Sequence, residues 1–426
     1  MEQTQLPLYE NPPPEERVRG LLCADNKGQV QVVAPEQALV DPDPIRSTTA
    51  RDLQSLPPSE AEAICAIPGF YGFPSVVHAS LKNKPQVALA TENPGVYVRA
   101  TGTQIHQLCS SHVSYDAEFC EDLVDTPASK VDDEQDILAA VDEFTARRIE
   151  ARLDETLHIP PLPEAARRII ALQQDPHFDL SDLVQIIETD PAIAARILGW
   201  ANSSFYGSPT PVKTLNDAIM RVLGFDVVFN MALGMSIGAT LNLPASHVSG
   251  ASPYWLDAVY SAATMEALAH QLPAERRPNP GTCYLAGLLS NFGTLVLGHV
   301  FPPQYETICR IQEANPQLPH VNVDQHVLSV NREVLAATLM ELWELPDEVT
   351  TAVRFQHVAN YAGEHQTYVK LLTMAKLMLN MGTEIDQLVL EYADEMKMPQ
   401  EGVETVQDTV QSSREELGDL AHSMAS

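Results

Sequence analysis

The sequence predicts two domains of different fold class: a mixed α/β domain at the N-terminus and an all-α helical bundle in the second half. Three observations support this. The chain has 426 residues, too many for one ordinary core. Short apolar runs separated by turn residues occupy residues 1–125, as in β-hairpins. From residue 157 onward, apolar residues recur every three or four positions, as in packed helices.

The N-terminal domain, residues 1–125, contains two predicted hairpins. In the first, Asp25-Asn26-Lys27-Gly28 lies between two apolar runs, and Gly28 supplies the positive φ that a tight turn needs. In the second, alternating residues 87–90 and 96–98 flank an Asn-Pro-Gly turn. Between the hairpins, the pattern predicts a helix over residues 48–67.

The second half of the chain has the pattern of short, capped helices with short connections. Either Asp179 or Ser181 is predicted to cap one helix, Asp190 followed by Pro191 begins the next, and Thr214 caps a third. This pattern predicts a compact bundle over residues 157–382. Residues 126–156 are predicted as a linker and connecting helix, and residues 383–426 as an acidic helical tail.

Composition excludes several classes of function. The formal net charge is −31 and the pI is about 4.6, so nucleic acid is a disfavoured partner, because phosphate binding needs clustered Lys and Arg. No apolar run approaches the roughly 20 residues of a membrane helix, and the N-terminus does not have the pattern of a secretory signal. The six cysteines form no Cys-x-x-Cys pair. We therefore expect a cytoplasmic protein with reduced thiols and no membrane segment.

Five motifs in the helical half occur in the order found in one known family. They are Leu162-Pro163-Glu164 through Ile169, Asp182-Leu183, the Thr-Asp-Pro run of residues 189–198, Ala201-Asn202-Ser203, and residues 218–225. These motifs resemble those of the HDOD domain, an all-helical bacterial signalling module related to metal-dependent phosphohydrolases. The resemblance implies an HD-domain-like bundle with a regulatory role.

The related phosphohydrolases bind their metal through adjacent His and Asp residues in a Gly-Leu-Leu-His-Asp stretch. The stretch from Gly287 to Gly298 keeps this pattern but carries Ser290-Asn291 in place of His-Asp. Neutral amide oxygens are poor ligands for transition metals, and an ammonium from Lys376, near the last carboxylate position, would oppose a bound cation. The resemblance places the other ligand positions at Asp257, Asn331, Gln356 and His357. We therefore expect no metal, no other cofactor and no catalytic residue.

Two interpretations of these altered positions stay open. The residues can form a hydrogen-bonding pocket that receives a small ligand, or a satisfied polar cluster in a helical core, since buried polar groups must pair. The candidate pocket residues are Asp257, Ser290, Asn291, Asn331, Gln356 and His357.

The N-terminal domain resembles the YbaK-type aminoacyl-tRNA deacylase domain at three places: residues 18–22 leading into the first turn, the loop of residues 68–74, and the strand of residues 76–81. The resemblance implies a deacylase-like site at Arg19, Gly69 and Gly72. Arg19, however, stands where the family has its functional lysine. An arginine keeps the charge but replaces a compact ammonium with a planar fork.

We therefore predict a non-catalytic regulatory protein in which a YbaK-like α/β domain is joined to a degenerate HD-type bundle. Such a protein implies partners in a signalling pathway, with a small-molecule or nucleotide ligand and oligomerisation as further expectations. Two alternatives stay open: an aminoacyl-tRNA deacylase in the N-terminal domain, and a residual metal-dependent phosphohydrolase in the bundle.

Overall fold

The computed structural model of the chain describes residues 8–56, 73–90, 96–109, 114–117, 120–121, 161–174, 178–238, 241, 254–328, 330–380 and 385–425. The chain divides into two compact units. The first, here called the sheet unit, combines Met1–Pro127, Ser246–Ala251 and Pro303–Ser329. The second, the helical unit, contains the remaining residues.

The sheet unit contains a mixed sheet, which confirms the predicted α/β class. Its strands are β1 (Leu8–Glu10), β2 (Arg17–Asp25), β3 (Gly28–Pro35), β4 (Leu39–Val40), β5 (Gln54–Ser55), β6 (Ser75–His78), β7 (Val87–Ala90), β8 (Val96–Ala100), β9 (Ser114–Ala117) and β10 (Cys120–Glu121). The strand order is β1-β8-β7-β2-β3-β6-β9, with β5 paired to β2, and β4 and β10 form a separate pair. Neighbours are antiparallel in β1–β8, β7–β8 and β2–β3 and parallel in β2–β7, β3–β6 and β6–β9.

The strand pairing of both predicted hairpins is confirmed, while the Asn-Pro-Gly turn of the second hairpin, residues 93–95, lies outside the described residues. Asp25 pairs with Gly28 at the β2–β3 turn, where Gly28 has φ +119°, and β7 and β8 are antiparallel. The predicted helix over residues 48–67 is wrong in its described part. Helix α1 (Pro42–Thr49) ends near the start of this segment, because Ala50 takes a left-handed conformation, and strand β5 follows. The rest of that segment, with Gly69 and Gly72, lies outside the described residues.

The sheet has a hydrophobic core on each face. On one face, Val33, Val77 and Leu89 pack with Ile105 of helix α2 (Gly102–Cys109). On the other face, the core contains Val32 and Val76 of the sheet, Ile45 of α1, and Ala314, which lies 238 residues after Val76 in the sequence. The second half of the sequence therefore supplies part of the core of the sheet unit.

Ala314 belongs to a two-helix segment, residues 303–329, that we call the strap. It contains most of helix α11 (Pro302–Ala314) and all of α12 (His320–Leu328). In sequence the strap lies in the middle of the helical half, but in space it belongs to the sheet unit.

The helical unit confirms the predicted bundle. Its helices are α3 (Glu164–Gln174), α4 (Leu180–Glu188), α5 (Pro191–Ala201), α6 (Leu215–Asp217), followed by a π-helical turn over Ala218–Leu223, α7 (Phe225–Gly238), α8 (Tyr254–Gln271), α9 (Pro280–Leu288), α10 (Phe292–Val300), α13 (Arg332–Leu342), α14 (Asp347–Phe355), α15 (Gln366–Asn380), α16 (Gln387–Met396), α17 (Gln400–Ser412) and α18 (Arg414–Ala425).

Three of these helices begin at the predicted caps. Asp179, rather than Ser181, caps α4, and its carboxylate accepts hydrogen bonds from the backbone of Ser181 and Asp182 in a capping box. Asp190 accepts from two backbone amides at the start of α5, and Thr214 accepts from one at the start of α6. The caps satisfy backbone donors that have no partner within a helix.

The core of the helical unit is centred on α8 and α9. These helices approach closely because Gly287 presents no side chain: a Cβ there would lie 2.5 Å from the Ala262 Cα. One described stretch, Pro280–Val300, is apolar and long enough to cross a membrane, contrary to the expectation that no run would approach that length. However, 78% of its apolar window is buried inside the protein, as in a core helix.

The C-terminal tail packs onto the bundle. Val403 of α17 and Leu417 of α18 are fully buried in the same core as α8. Glu416 accepts hydrogen bonds from the Ser204 amide (2.6 Å) and hydroxyl (2.7 Å). The five cysteines within the described ranges are free thiols, as expected.

Candidate functional site

The turn between α9 and α10 carries the two residues that replace the His-Asp pair. Asn291 occupies the cap position of α10, yet its side chain makes no cap hydrogen bond. Its Oδ1 instead accepts a hydrogen bond from Lys376 Nζ on α15, at 2.6 Å. Ser290 beside it is buried. The sequence change from His-Asp to Ser-Asn is therefore accompanied by a direct contact to a lysine.

The Lys376 ammonium is partly buried beside two carboxylates that act on its pKa. Burial lowers its pKa to about 8, while the nearby carboxylates of Asp257 and Glu333 act in the opposite direction. At neutral pH the amine is therefore protonated and interacts with two negative groups. The positive charge among these side chains is therefore that of a lysine of the protein itself.

The start of α13 brings a second group of polar residues to the same region. Gly293 of α10 packs directly on the Arg332 backbone, since a Cβ there would lie 2.2 Å from the Arg332 carbonyl oxygen. Next to this contact, Asn331 Oδ1 is buried and has no hydrogen-bond partner among the described residues. Glu333 is buried, and its Oε1 lies 3.4 Å from His357 Nε2.

Gln356 connects α14 to the Ser290 turn. Its side-chain Nε2 donates hydrogen bonds to the backbone carbonyl oxygens of Ser290 and Val353, both at 2.9 Å. The backbone carbonyl oxygen of Gln356 accepts a hydrogen bond from Thr373 Oγ1 at 2.9 Å. Gln356 Oε1 and Ser290 Oγ are buried without a partner in the described part of the chain. Gln356, which stands in a histidine position of the related phosphohydrolases, therefore bonds two backbone segments, and its side-chain oxygen has no partner among the described residues.

These contacts define the polar cluster, which extends from partly buried Lys376 to His357, whose side chain is 40% exposed. The structure links Asp257, Asn291 and Glu333 to Lys376, and Gln356 to Ser290, while Asn331 begins the helix that carries Glu333. The sequence analysis did not include Glu333 among the candidates, although it lies two positions after Asn331. It named Lys376 only as an obstacle to a metal.

Arg19, the residue in the deacylase lysine position, lies in the sheet unit and contacts the strap. Its Nη1 donates to the Ala314 carbonyl oxygen at 2.8 Å, and its Nη2 donates to Asn315 Oδ1 at 2.6 Å. Burial lowers the pKa of this guanidinium to about 10, although it stays charged at neutral pH. The described contacts of Arg19 are thus structural.

Comparison with known proteins identifies the family. Residues 159–359 match the HDOD domain. A crystal structure of a protein from Marinobacter aquaeolei VT8, described as a signal transduction protein, is 30% identical, with a TM-score of 0.83 over 99% of this chain and 97% of that chain. The chain belongs to the HDOD domain family. The HDOD match includes every candidate pocket residue and the whole strap, but it ends before α15 and Lys376.

Two further proteins are similar to this HDOD protein at lower sequence identity. A Shewanella amazonensis SB2B protein described as a phosphohydrolase is 18% identical, with a TM-score of 0.51 over 67% of this chain and 97% of that chain, a likeness of fold alone. An uncharacterized protein of Treponema pallidum (strain Nichols) is 27% identical over 219 residues, which are 51% of this chain and 41% of that protein. The match therefore spans less than half of that relative.

A solved protein described as a trans-editing enzyme for prolyl-tRNA synthetase also resembles the N-terminal region. It is 17% identical, with a TM-score of 0.24 over 26% of this chain and 86% of that chain. The activity named for that protein is not carried to this chain by a likeness of this size.

Proposed function

We propose that this HDOD protein is a non-catalytic, cytoplasmic regulator in bacterial signal transduction, acting by binding a protein partner or a small ligand. The family and the description of the Marinobacter relative support a regulatory role. The observation that carries the non-catalytic part is the hydrogen bond from Lys376 Nζ to Asn291 Oδ1 within reach of two carboxylates.

The argument against a hydrolytic metal is electrostatic. A metal-dependent hydrolase uses its ion to lower the pKa of a bound water, which then attacks the substrate. Here the Asn291 oxygen accepts from an ammonium, and each unit of positive charge placed about 4 Å from that ammonium would cost roughly 4 kcal/mol at an intermediate dielectric. The Lys376 ammonium therefore takes the place of a metal ion as the positive charge near Asp257 and Glu333, and an ammonium does not activate a water for hydrolysis.

The polar cluster offers hydrogen-bond acceptors to a ligand. Among the described residues, Ser290 Oγ, Asn331 Oδ1 and Gln356 Oε1 are buried without partners, and leaving such groups unpaired costs about 1 to 3 kcal/mol each. A small polar or nucleotide ligand that donates hydrogen bonds would satisfy them, with exposed His357 marking the side of entry. Internal water, the alternative occupant, would make the cluster a closed core element.

The test is to exchange the charge at Lys376. Metal analysis of the purified wild type for Mn, Fe, Mg and Zn should find no stoichiometric ion. Lys376→Asp should bind Mn²⁺ at least tenfold more tightly than wild type in calorimetric titration, because it removes the ammonium and adds a carboxylate. Lys370→Asp is the matched control on the same helix, since Lys370 pairs with Glu395 instead.

Two results would overturn the proposal: a stoichiometric metal in the wild type, or hydrolysis of a phosphodiester substrate that Lys376→Asp abolishes. Equal Mn²⁺ affinity in the Lys376 and Lys370 variants would remove the electrostatic argument. A separate assay addresses the deacylase alternative: full-length protein incubated with mischarged tRNA should release no amino acid above background, because Arg19 is engaged with the strap.

A further inference from the structure

The strap belongs to the sheet unit, and in sequence its two ends continue into α10 and α13, the helices that begin at Asn291 and Asn331. We propose that the sheet unit contains a recognition site for the end of helix α11, and that holding the strap there fixes the geometry of the polar cluster. This inference does not depend on whether the cluster binds a ligand.

Asn315 is the centre of the recognition site. Its side chain is fully buried, and its Oδ1 accepts hydrogen bonds from the Val40 amide (2.8 Å) and from Arg19 Nη2 (2.6 Å). Its Nδ2 donates to the carbonyl oxygens of Val40 (2.8 Å) and Ile311 (2.6 Å). Since a side-chain amide has two donors and two acceptor positions, all four are used. The Asn315 side-chain amide thus bonds both backbone groups of Val40, which lies 275 residues away in sequence.

The end of α11 also provides acceptors for the partly buried guanidinium of Arg19. The Ala314 carbonyl oxygen, at the negative end of the helix dipole, accepts from Arg19 Nη1 at 2.8 Å. The Ala314 side chain is buried in the core on this face of the sheet. At the rim, Gln317 Nε2 donates to the Glu36 carbonyl oxygen (3.2 Å), and Arg310 lies 3.7 Å from the Asp43 carboxylate.

These interactions favour two discrete states over a gradual loosening. If the strap left this site, Arg19 would lose its two acceptors and the Val40 backbone would lose both partners. Uncompensated buried charges and buried backbone groups cost several kcal/mol together. The strap is therefore either seated with all of these bonds or released with none of the central ones.

Both ends of the strap lead directly into the helices that hold the polar cluster. Before the strap comes α10, which begins next to Asn291; after it, Asn331 lies two positions beyond residue 329, and Glu333 is in the first turn of α13. The contact of Gly293 with Arg332 holds these two helices together. A strap that is seated or released must therefore change the restraint on Asn331 and Glu333.

Hydrogen exchange of the full chain, followed by mass spectrometry, tests this inference. In Asn315→Ala, the amides of residues 303–328 should exchange at least tenfold faster, and those of residues 292–300 and 332–342 should also accelerate. Residues 387–412 of the tail should stay unchanged. Gln317→Ala, which removes only a rim hydrogen bond, is the control and should match the wild type.

The possible outcomes are distinct. Acceleration confined to residues 303–328 would overturn the transmission to the cluster, and no acceleration there would overturn the recognition site. Equal acceleration in residues 387–412 would mean general destabilisation and would also overturn it. Arg19→Lys gives a milder variant for the case of poor folding: it keeps the charge but replaces the planar guanidinium, which reaches both acceptors, with a compact ammonium, so it should accelerate the same three regions by a smaller factor.

Discussion

Lys376 Nζ donates a hydrogen bond to Asn291 Oδ1 across 2.6 Å, joining α15 to the turn before α10. The pKa of this lysine is about 8, lowered chiefly by burial and raised in part by Asp257 and Glu333. An unfolded lysine keeps its ordinary pKa near 10.5, so between pH 8 and 10.5 the unfolded state binds more protons. The contribution of this group to stability should therefore increase as the pH rises through that window.

The first prediction concerns this pKa directly. Asp257→Asn removes one of the charges that raise the pKa of Lys376, so the pKa should fall below 8. Lysine ¹³Cε chemical shifts followed against pH would measure it. The control is Glu395→Gln, which removes a carboxylate next to Lys370 instead and should leave Lys376 unchanged. A Lys376 pKa of 10 or higher in the wild type would contradict the prediction.

The second prediction concerns a buried acid elsewhere in the bundle. Glu266 on α8 is buried, and its carboxylate accepts a hydrogen bond from the Tyr206 hydroxyl. Burial raises its pKa to about 7, although the Tyr206 hydrogen bond acts in the opposite direction. The neighbours Tyr206, Tyr284 and Cys283 have raised pKa values and therefore stay neutral at neutral pH, and since phenol and thiol groups are never cationic, none of them offsets a charge on Glu266.

The folded protein therefore holds the Glu266 proton more tightly than the unfolded chain does. The associated stability is fully present below about pH 4.5 and is lost as the pH rises through about 7. Glu266→Gln should remove this dependence and, at pH 8, should raise the free energy of unfolding by about 3 kcal/mol. Urea unfolding at pH 5 and pH 8 measures this. A variant with the same loss of stability as the wild type between these pH values would refute the assignment.

The third prediction uses two glycines in different surroundings. Gly287→Ala should destabilise the protein by about 1 to 3 kcal/mol or more, because its Cβ would meet the Ala262 backbone at 2.5 to 2.6 Å. Gly418→Ala in α18 should be neutral or stabilising by up to about 1 kcal/mol, since the nearest atom lies 3.9 Å away and alanine favours helix. Thermal unfolding of both variants compares them, and equal effects would argue against close α8–α9 packing.

Local signals in the sequence predicted the local structure well. The caps at Asp179, Asp190 and Thr214, and the hairpin turn at Gly28, are where the pattern placed them, because each depends on residues only a few positions apart. The prediction of a helix over residues 48–67 is wrong in its described part, because Ala50 adopts a left-handed conformation that could not be predicted from an alanine.

The candidate site was predictable in part. Family resemblance led to Asp257, Asn291, Asn331 and His357, but the hydrogen bond that Asn291 accepts comes from Lys376 of α15, 85 residues further along the chain. Neither spacing nor composition shows that Lys376 reaches Asn291, or that Arg19 contacts Asn315. Contacts of this kind depend on how helices pack, and the sequence pattern within one helix does not contain that information.

The position of the strap has a consequence for how this protein can be divided or inherited. The HDOD match runs without interruption from residue 159 to 359, yet residues 303–329 within it complete the core of the other unit. A fragment cut at the family boundaries would carry α11 without the surface that buries Ala314, and residues 1–127 alone would expose Val32 and Val76. Neither unit can be moved to another protein by one exchange of contiguous sequence, so the two are constrained to evolve as a pair.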